Sequence, residues 1–174
     1  RSPDEELPDS LKRERQAAEA RVFKAFRGVT RARGVSWVSS AVIDDDGTTD
    51  ECPAARERDP DTSWEQLVDE PRWNPEPGAA VSFLDAIGFR YYLPPGLIRD
   101  LRSAPWRFDD LSGRLTMPKG LGPPSGDGSM RVGLFTPSQC RAVGRAIVYL
   151  IHAHDWRENE ITLDTGEERS TDTG

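Results

Sequence analysis

With 174 residues, 23 Lys plus Arg and 30 Asp plus Glu, the chain is of one-domain size and carries a formal net charge of −7. No window approaches the ~20 consecutive apolar residues of a membrane-spanning helix, and the opening Arg1-Ser-Pro-Asp-Glu-Glu lacks the apolar core of a secretory signal. A net negative chain is also poorly matched to phosphate backbones. Neither membrane nor nucleic acid is therefore an expected partner, and a soluble cytoplasmic protein is expected. Residue 1 is not methionine, which leaves the true N-terminus open.

From Ser10 to Arg27, Leu11, Ala18, Val22, Phe23 and Phe26 recur at helical spacing, with Asp9 or Ser10 available as N-cap and Gly28 as the stop. The spacing predicts a long amphipathic helix. Ser36 can cap a short helix through Trp37, Val38, Ala41 and Val42 that ends before Asp44-Asp45-Asp46-Gly47, although a strand over residues 34–43 fits the same residues. Residues 50–58 suit another helix with Pro53 in its first turn. Thr62 or Ser63 then caps a third, holding Trp64, Leu67 and Val68.

The middle of the chain has another character. Residues 80–84 and 89–93 are rich in aromatic and branched side chains around Asp85-Ala-Ile-Gly88, which predicts a β-hairpin. Pro94-Pro95 would stop the second strand and open a helix through Leu97, Ile98 and Leu101. Extended pieces around a turn are expected over residues 106–117, and a mobile loop over 120–129. Thr136, Pro137 and Gln139 form a capping-box pattern opening a helix to about Ala153, with Val143, Ala146, Ile147, Leu150 and Ile151 on its buried face. The fold class expected is thus α+β: a mostly helical single domain whose central antiparallel hairpin or small sheet packs on long N- and C-terminal helices. Residues 1–9 are expected as a flexible segment, 10–156 as the globular domain and 157–174 as an acidic, disordered tail.

Charge is uneven. Residues 44–70 hold eleven carboxylates against two arginines, a net −9, whereas residues 71–156 sum to +3. The run Asp44, Asp45, Asp46, Asp50, Glu51 does not keep the register of a calcium loop and suits either solvent or a positively charged partner. His152, His154 and Asp155 have the side-chain types of a metal site, but residues two apart on a helix point roughly 200° from each other, so they converge only if the helix has already ended. Cys140, near a helix start, is some 18 to 21 Å from either histidine along that helix, at about 1.5 Å per residue. It is expected as a buried structural cysteine, and Cys52 lies in the acidic loop. Two cysteines are too few for a disulfide-stapled secreted domain. The aromatic segment from Phe83 to Pro94 is expected to be core. Arg90, on the opposite strand face from Phe89 and Tyr91, could pair with Asp85 or with the acidic segment. No nucleophile elbow, phosphate loop or dinucleotide fingerprint occurs.

The run Phe83-Leu-Asp-Ala-Ile-Gly-Phe-Arg-Tyr-Tyr-Leu-Pro94 resembles an uncharacterised family of bacterial proteins, a domain of unknown function. Ala25-Phe26-Arg27-Gly28-Val29, Gly34-Val35-Ser36, Val42-Ile43-Asp44-Asp45, Ala54-Ala55-Arg56, Asp61-Thr62-Ser63-Trp64 and Phe135-Thr136-Pro137-Ser138-Gln139 share the resemblance, which covers roughly residues 20–155. It implies a similar size and α+β organisation, and no activity or catalytic residue. Where the family continues after Leu-Pro with Ala and a bulky residue, this chain has Pro95-Gly96.

Two functions are expected from these residues. The first is a small acidic protein-binding module, immunity- or inhibitor-like, that takes a basic protein partner through Asp44, Asp45, Asp46, Asp50, Glu51 and Arg90, with no cofactor and no set oligomeric state. The second is a metal-dependent hydrolase using His152, His154 and Asp155, or the Asp44 to Asp46 cluster.

Overall fold

The computed structural model describes residues 7–45, 51–59, 63–73, 83–104 and 132–167, with side chains through residue 160. Their regular elements are six helices: α1 (Asp9–Phe26), α2 (Trp37–Asp44), α3 (Glu51–Arg56), α4 (Trp64–Leu67), α5 (Ala86–Ser103) and α6 (Pro137–Glu167). The α+β expectation is overturned, because no strand or sheet occurs among the described residues. The expected extended pieces over 106–117, the loop over 120–129 and the first arm of the hairpin at 80–82 lie outside the described residues.

α1 packs along α6, and both close on α5. Leu11, Ala18, Val22 and Phe26 line the inner face of α1, as the 3.6-residue period required. Its N-cap is Pro8, which offers no side-chain bond, in place of the expected Asp9 or Ser10. At the other end Gly28 adopts φ 73°, a left-handed conformation that costs glycine little, and the Val29 N–H returns to the Phe26 carbonyl at 3.0 Å. α6 opens with a reciprocal capping box. The Gln139 N–H donates to Thr136 Oγ1 at 3.2 Å, and the Thr136 N–H donates to Gln139 Oε1 at 3.0 Å. Past the expected end near Ala153, this helix continues to Glu167.

Residues 86–103 explain the failed hairpin. Asp85 is an N-cap whose Oδ1 accepts from the Gly88 N–H at 2.7 Å. From there the helix runs straight through Pro94 and Pro95. The two prolines withhold the N–H groups that would have bonded the carbonyls of Arg90 and Tyr91, a loss of ~3 kcal/mol or more for an ordinary interior proline. Burial offsets it: Tyr91, Tyr92, Leu93, Leu97, Ile98 and Leu101 are each 2% exposed or less, and burying such side chains contributes about 1.5–3 kcal/mol apiece. A helix buried on nearly all sides carries no polar stripe. Its sequence then reads as a run of aromatic and branched residues, the signature of a strand.

The segment joining α1 to α2 crosses the start of α5 at backbone contact. A Cβ on Gly88 would sit 2.4 Å from the Val35 carbonyl oxygen, and one on Gly34 would sit 2.7 Å from the Gly88 nitrogen. Asp85 Oδ1 pins the crossing by accepting also from the Val35 N–H at 3.0 Å. Arg56 ties its other side by donating to the carbonyls of Gly34 and Ala32. Glycine to alanine ordinarily stabilises a helix interior by about 1 kcal/mol. Here Gly88→Ala should instead destabilise by ~1–3 kcal/mol through overpacking, seen as a lower urea midpoint at unchanged slope; an unchanged or higher midpoint would contradict the crossing.

Candidate functional site

The acidic run begins at the far end of α2, so the way α2 is held decides how its carboxylates are presented. The first N–H groups of a helix have no partner within it, and three elements supply them here. Trp37 N–H donates to the Tyr92 hydroxyl at 3.0 Å, Val38 N–H to Asp59 Oδ1 at 3.2 Å, and Ser39 N–H to Ser36 Oγ at 3.2 Å. Ser36 is the cap the sequence indicates, and the helical assignment excludes the strand alternative. Tyr92, on α5, accepts a second bond from Arg31 Nη1 at 2.8 Å. Arg31 Nη1 also lies 3.3 Å from Asp59 Oδ2, whose side chain is almost fully buried. A buried carboxylate at the positive end of a helix beside a guanidinium is doubly favoured.

Around this anchor sits an aromatic cluster. Trp37 meets Trp73 and Tyr92 at centroid distances of 5.5 and 5.4 Å, and Trp73 stacks on Tyr92 at 6.2 Å. Arg99 reaches in from α5, 4.9 Å from the Trp73 ring centroid. Its guanidinium donates to the carbonyls of Leu67, Val68, Glu70 and Trp73 at 2.6 to 3.0 Å, collecting the turn that follows α4. Trp64 fixes α4 itself, donating from Nε1 to the Phe26 carbonyl at 3.0 Å; Ser63 holds the N-cap position there without a side-chain bond. Of the aromatic segment expected to be core, Phe89, Tyr91 and Tyr92 are buried, whereas Phe83 at its start is 38% exposed.

The predicted partner-binding residues separate into two groups. Asp44 is the last residue of α2 and Asp45 its C-cap, whose own N–H bonds back to Ala41 and Ile43. Glu51 opens α3, which packs against α2 and is linked to it by Ser39 Oγ donating to the Cys52 carbonyl at 2.9 Å. Asp46 and Asp50 lie outside the described residues. Arg90 has no ion pair with Asp85, Asp44, Asp45 or Glu51 among the described residues; it donates from Nε to Gln139 Oε1 at 3.2 Å, while Gln139 Nε2 donates to the Ala25 carbonyl at 3.2 Å. That buried amide joins α1, α5 and α6. The capping-box spacing exposed Gln139 as a cap, but nothing in the sequence marked its contact with Arg90.

Three other acids of the −9 segment are paired with arginines, Asp59 in the interior and Asp69 and Glu70 at the surface. Asp59 is matched to Arg31, Asp69 to Arg102 at 3.0 Å, and Glu70 to Arg72 at 2.9 Å. Hydrogen bonds from the Arg72 guanidinium and backbone hold the Glu70 carboxyl below its ordinary range. Arg102 is shared with Glu19 of α1 at 3.3 Å. Asp44 and Asp45 have no ion pair among the described residues.

The histidines do not converge. α6 is still helical at His152 and His154, so their rings diverge. His152 Nδ1 lies 3.1 Å from Glu14 Oε2 of α1, and His154 Nδ1 lies 4.0 Å from its neighbour Asp155. Among the described residues no group of three or more His, Cys, Asp or Glu side chains is arranged to hold a metal ion. Cys140 is exposed, correcting the expectation of a buried thiol, and neither cysteine is in a disulfide. The anchoring of α2 has a measurable consequence. Tyr92→Phe removes the acceptor for two donors and should cost ~1–3 kcal/mol, with faster hydrogen exchange at the Trp37 amide; unchanged exchange there would show that Tyr92 does not hold the helix.

No helix among the described residues is long and apolar enough to cross a membrane. No curated protein and no solved structure matches the chain. A family profile does, over residues 14–162, a span that begins within α1 and ends within α6 and so takes in the crossing, the anchored α2 and the acidic end described above. The chain belongs to the Family of unknown function (DUF6714).

Proposed function

We propose that the protein is a small protein-binding module, immunity- or inhibitor-like, which receives a basic protein partner on the acidic end of α2 and the start of α3. The observation that carries this reading is the position of Asp44 and Asp45. Both sit at the carboxyl end of a helix, where unpaired carbonyls concentrate negative partial charge and a further carboxylate is unfavourable. Asp59, Asp69 and Glu70 of the same segment are matched with arginines, while Asp44 and Asp45, like the exposed Glu57, have no ion pair among the described residues. Local choices that oppose stability mark functional positions more often than structural ones. Glu51, in the first turn of α3, adds negative charge beside them, and Asp46 and Asp50 fall between in the sequence. A concentrated potential of this kind attracts a positive partner over a distance of about one Debye length, ~8 Å at physiological salt.

Arg90 is left out of the proposed surface, because its Nε already donates to Gln139 Oε1. A cytoplasmic setting is part of the proposal, supported by the two cysteines outside any disulfide.

Neutralising Asp44→Asn with Asp45→Asn should move stability and binding in opposite directions. Each substitution relieves about 0.3–1 kcal/mol of opposition to the helix dipole at low ionic strength, so the thermal midpoint should rise. In affinity capture from cells of the source organism, the unaltered chain should retain one basic protein that elutes at raised salt, and the double variant should not. Retention of the same protein by the variant removes this surface as the binding site, and a fall in the midpoint removes the argument from helix position.

A further inference from the structure

α6 has one face that the other described elements leave uncovered. The helix turns about 100° per residue. It buries Ala142, Ala146, Tyr149, Leu150 and Ala153 against α1 and α5, and sends Arg141, Gly144, Val148, Ile151 and Asp155 the other way. Ile151 is 50% exposed, and Val148 beside it is only partly covered. Gly144 weakens a helix interior, and no described neighbour requires it, because a Cβ there would meet no atom within 4 Å. Glycine on an outward helix face permits the close approach of another backbone.

The charges say what could approach. Arg141 lies two turns before Val148 and Asp155 two turns after it, seven positions on either side and on the same stripe. Arg141 is exposed with no ion pair among the described residues, and the Asp155 side chain is 69% exposed, its nearest basic group being His154 at 4.0 Å. A second α6 laid antiparallel, with its own Val148 opposite this one, brings each Arg141 against the other copy's Asp155. The two-fold sets each flank of the stripe against the same flank of the other copy, so Gly144 falls within one residue's rise of the other copy's Ile151, and Arg145 of its His152, whose ring leans away towards Glu14 at 3.1 Å. Small meets large, and positive meets negative.

We propose that this face is a self-association surface: two copies of the chain pair through antiparallel α6 helices about a two-fold axis at Val148, an isologous contact in which each charge pair occurs twice. It lies on a different element from the acidic end of α2 and stands independently of any partner there.

Sedimentation of the full chain over a wide concentration range tests it. The unaltered chain should show a monomer–dimer equilibrium. Arg141→Asp and Asp155→Arg should each weaken the dimer by about tenfold or more, because each places like charges together at both contacts. An equimolar mixture of the two variants should recover it, since every mixed pair again sets opposite charges face to face. Both positions are exposed, and circular dichroism confirms that the helices persist. A second reading uses Val148→Cys in a Cys140→Ser chain, which should crosslink into dimers under mild oxidation while the Cys140→Ser chain alone does not. A monomer at all concentrations, a dimer indifferent to either charge reversal, a mixture that fails to recover, or the absence of the Val148→Cys crosslink overturns the proposal.

Discussion

The crossing of two backbones at Gly34 and Gly88 is the constraint on which the arrangement of this molecule rests. At the separations found there, no side chain larger than hydrogen fits at either position without displacing backbone. Asp85 makes the contact specific by bonding its own helix and the crossing strand of chain with the same carboxylate oxygen. Because the crossing fixes residues 34 and 35 over Gly88, Trp37 emerges next to Tyr92, about one turn further into that helix. The capping of α2, the aromatic cluster and the buried Arg31–Asp59 pair all follow from that placement.

A second consequence is the division of labour among the arginines. Arg31, Arg56, Arg90 and Arg99 donate to interior carbonyls, a hydroxyl or an amide, binding loops to helices where no regular backbone ladder is available. Five donors in a fixed fork suit guanidinium to this task. Arg99 shows it most fully: it takes four carbonyls while covering the face of Trp73. These four arginines thereby serve the interior rather than the surface, while Asp44 and Asp45 at the end of α2 have no ion pair among the described residues. The formal −9 of residues 44–70 overstates the field in one place and understates its localisation, since Asp59, Asp69 and Glu70 are already matched.

What the sequence reveals here follows from how much of each element meets water. α1 and α6 are half-buried, so their apolar residues keep a helical period, and α2 and α6 carry caps whose chemistry is local. Ser36, Thr136, Gln139 and Gly28 are found where the sequence puts them. α5 is enclosed on nearly every side, which erases the period, and its double proline suggests a boundary that the packing overrides. Cys140 fails for a related reason, since an apolar neighbourhood in sequence does not say which face of a helix a residue takes. The candidate site is legible as charge alone. Its geometry depends on Tyr92 and Asp59, distant in sequence from the helix they hold, and on which carboxylates find arginines, a matter only tertiary structure decides.

The way α2 is fastened also separates folding from the surface it presents. Its attachments are concentrated at its first turn, through Tyr92, Asp59 and Ser36, and at Ser39, which reaches the start of α3. The last turn, where Asp44 and Asp45 lie, contributes no side chain to the buried core. Charge can therefore be altered at that end with little effect on the packing of α1, α5 and α6, because the favourable terms that hold the helix are spent at its opposite pole. The proposed binding surface is thus separable from the crossing that fixes the fold: substitutions at Asp44 and Asp45 leave the contacts of Gly34, Gly88 and Asp85 in place.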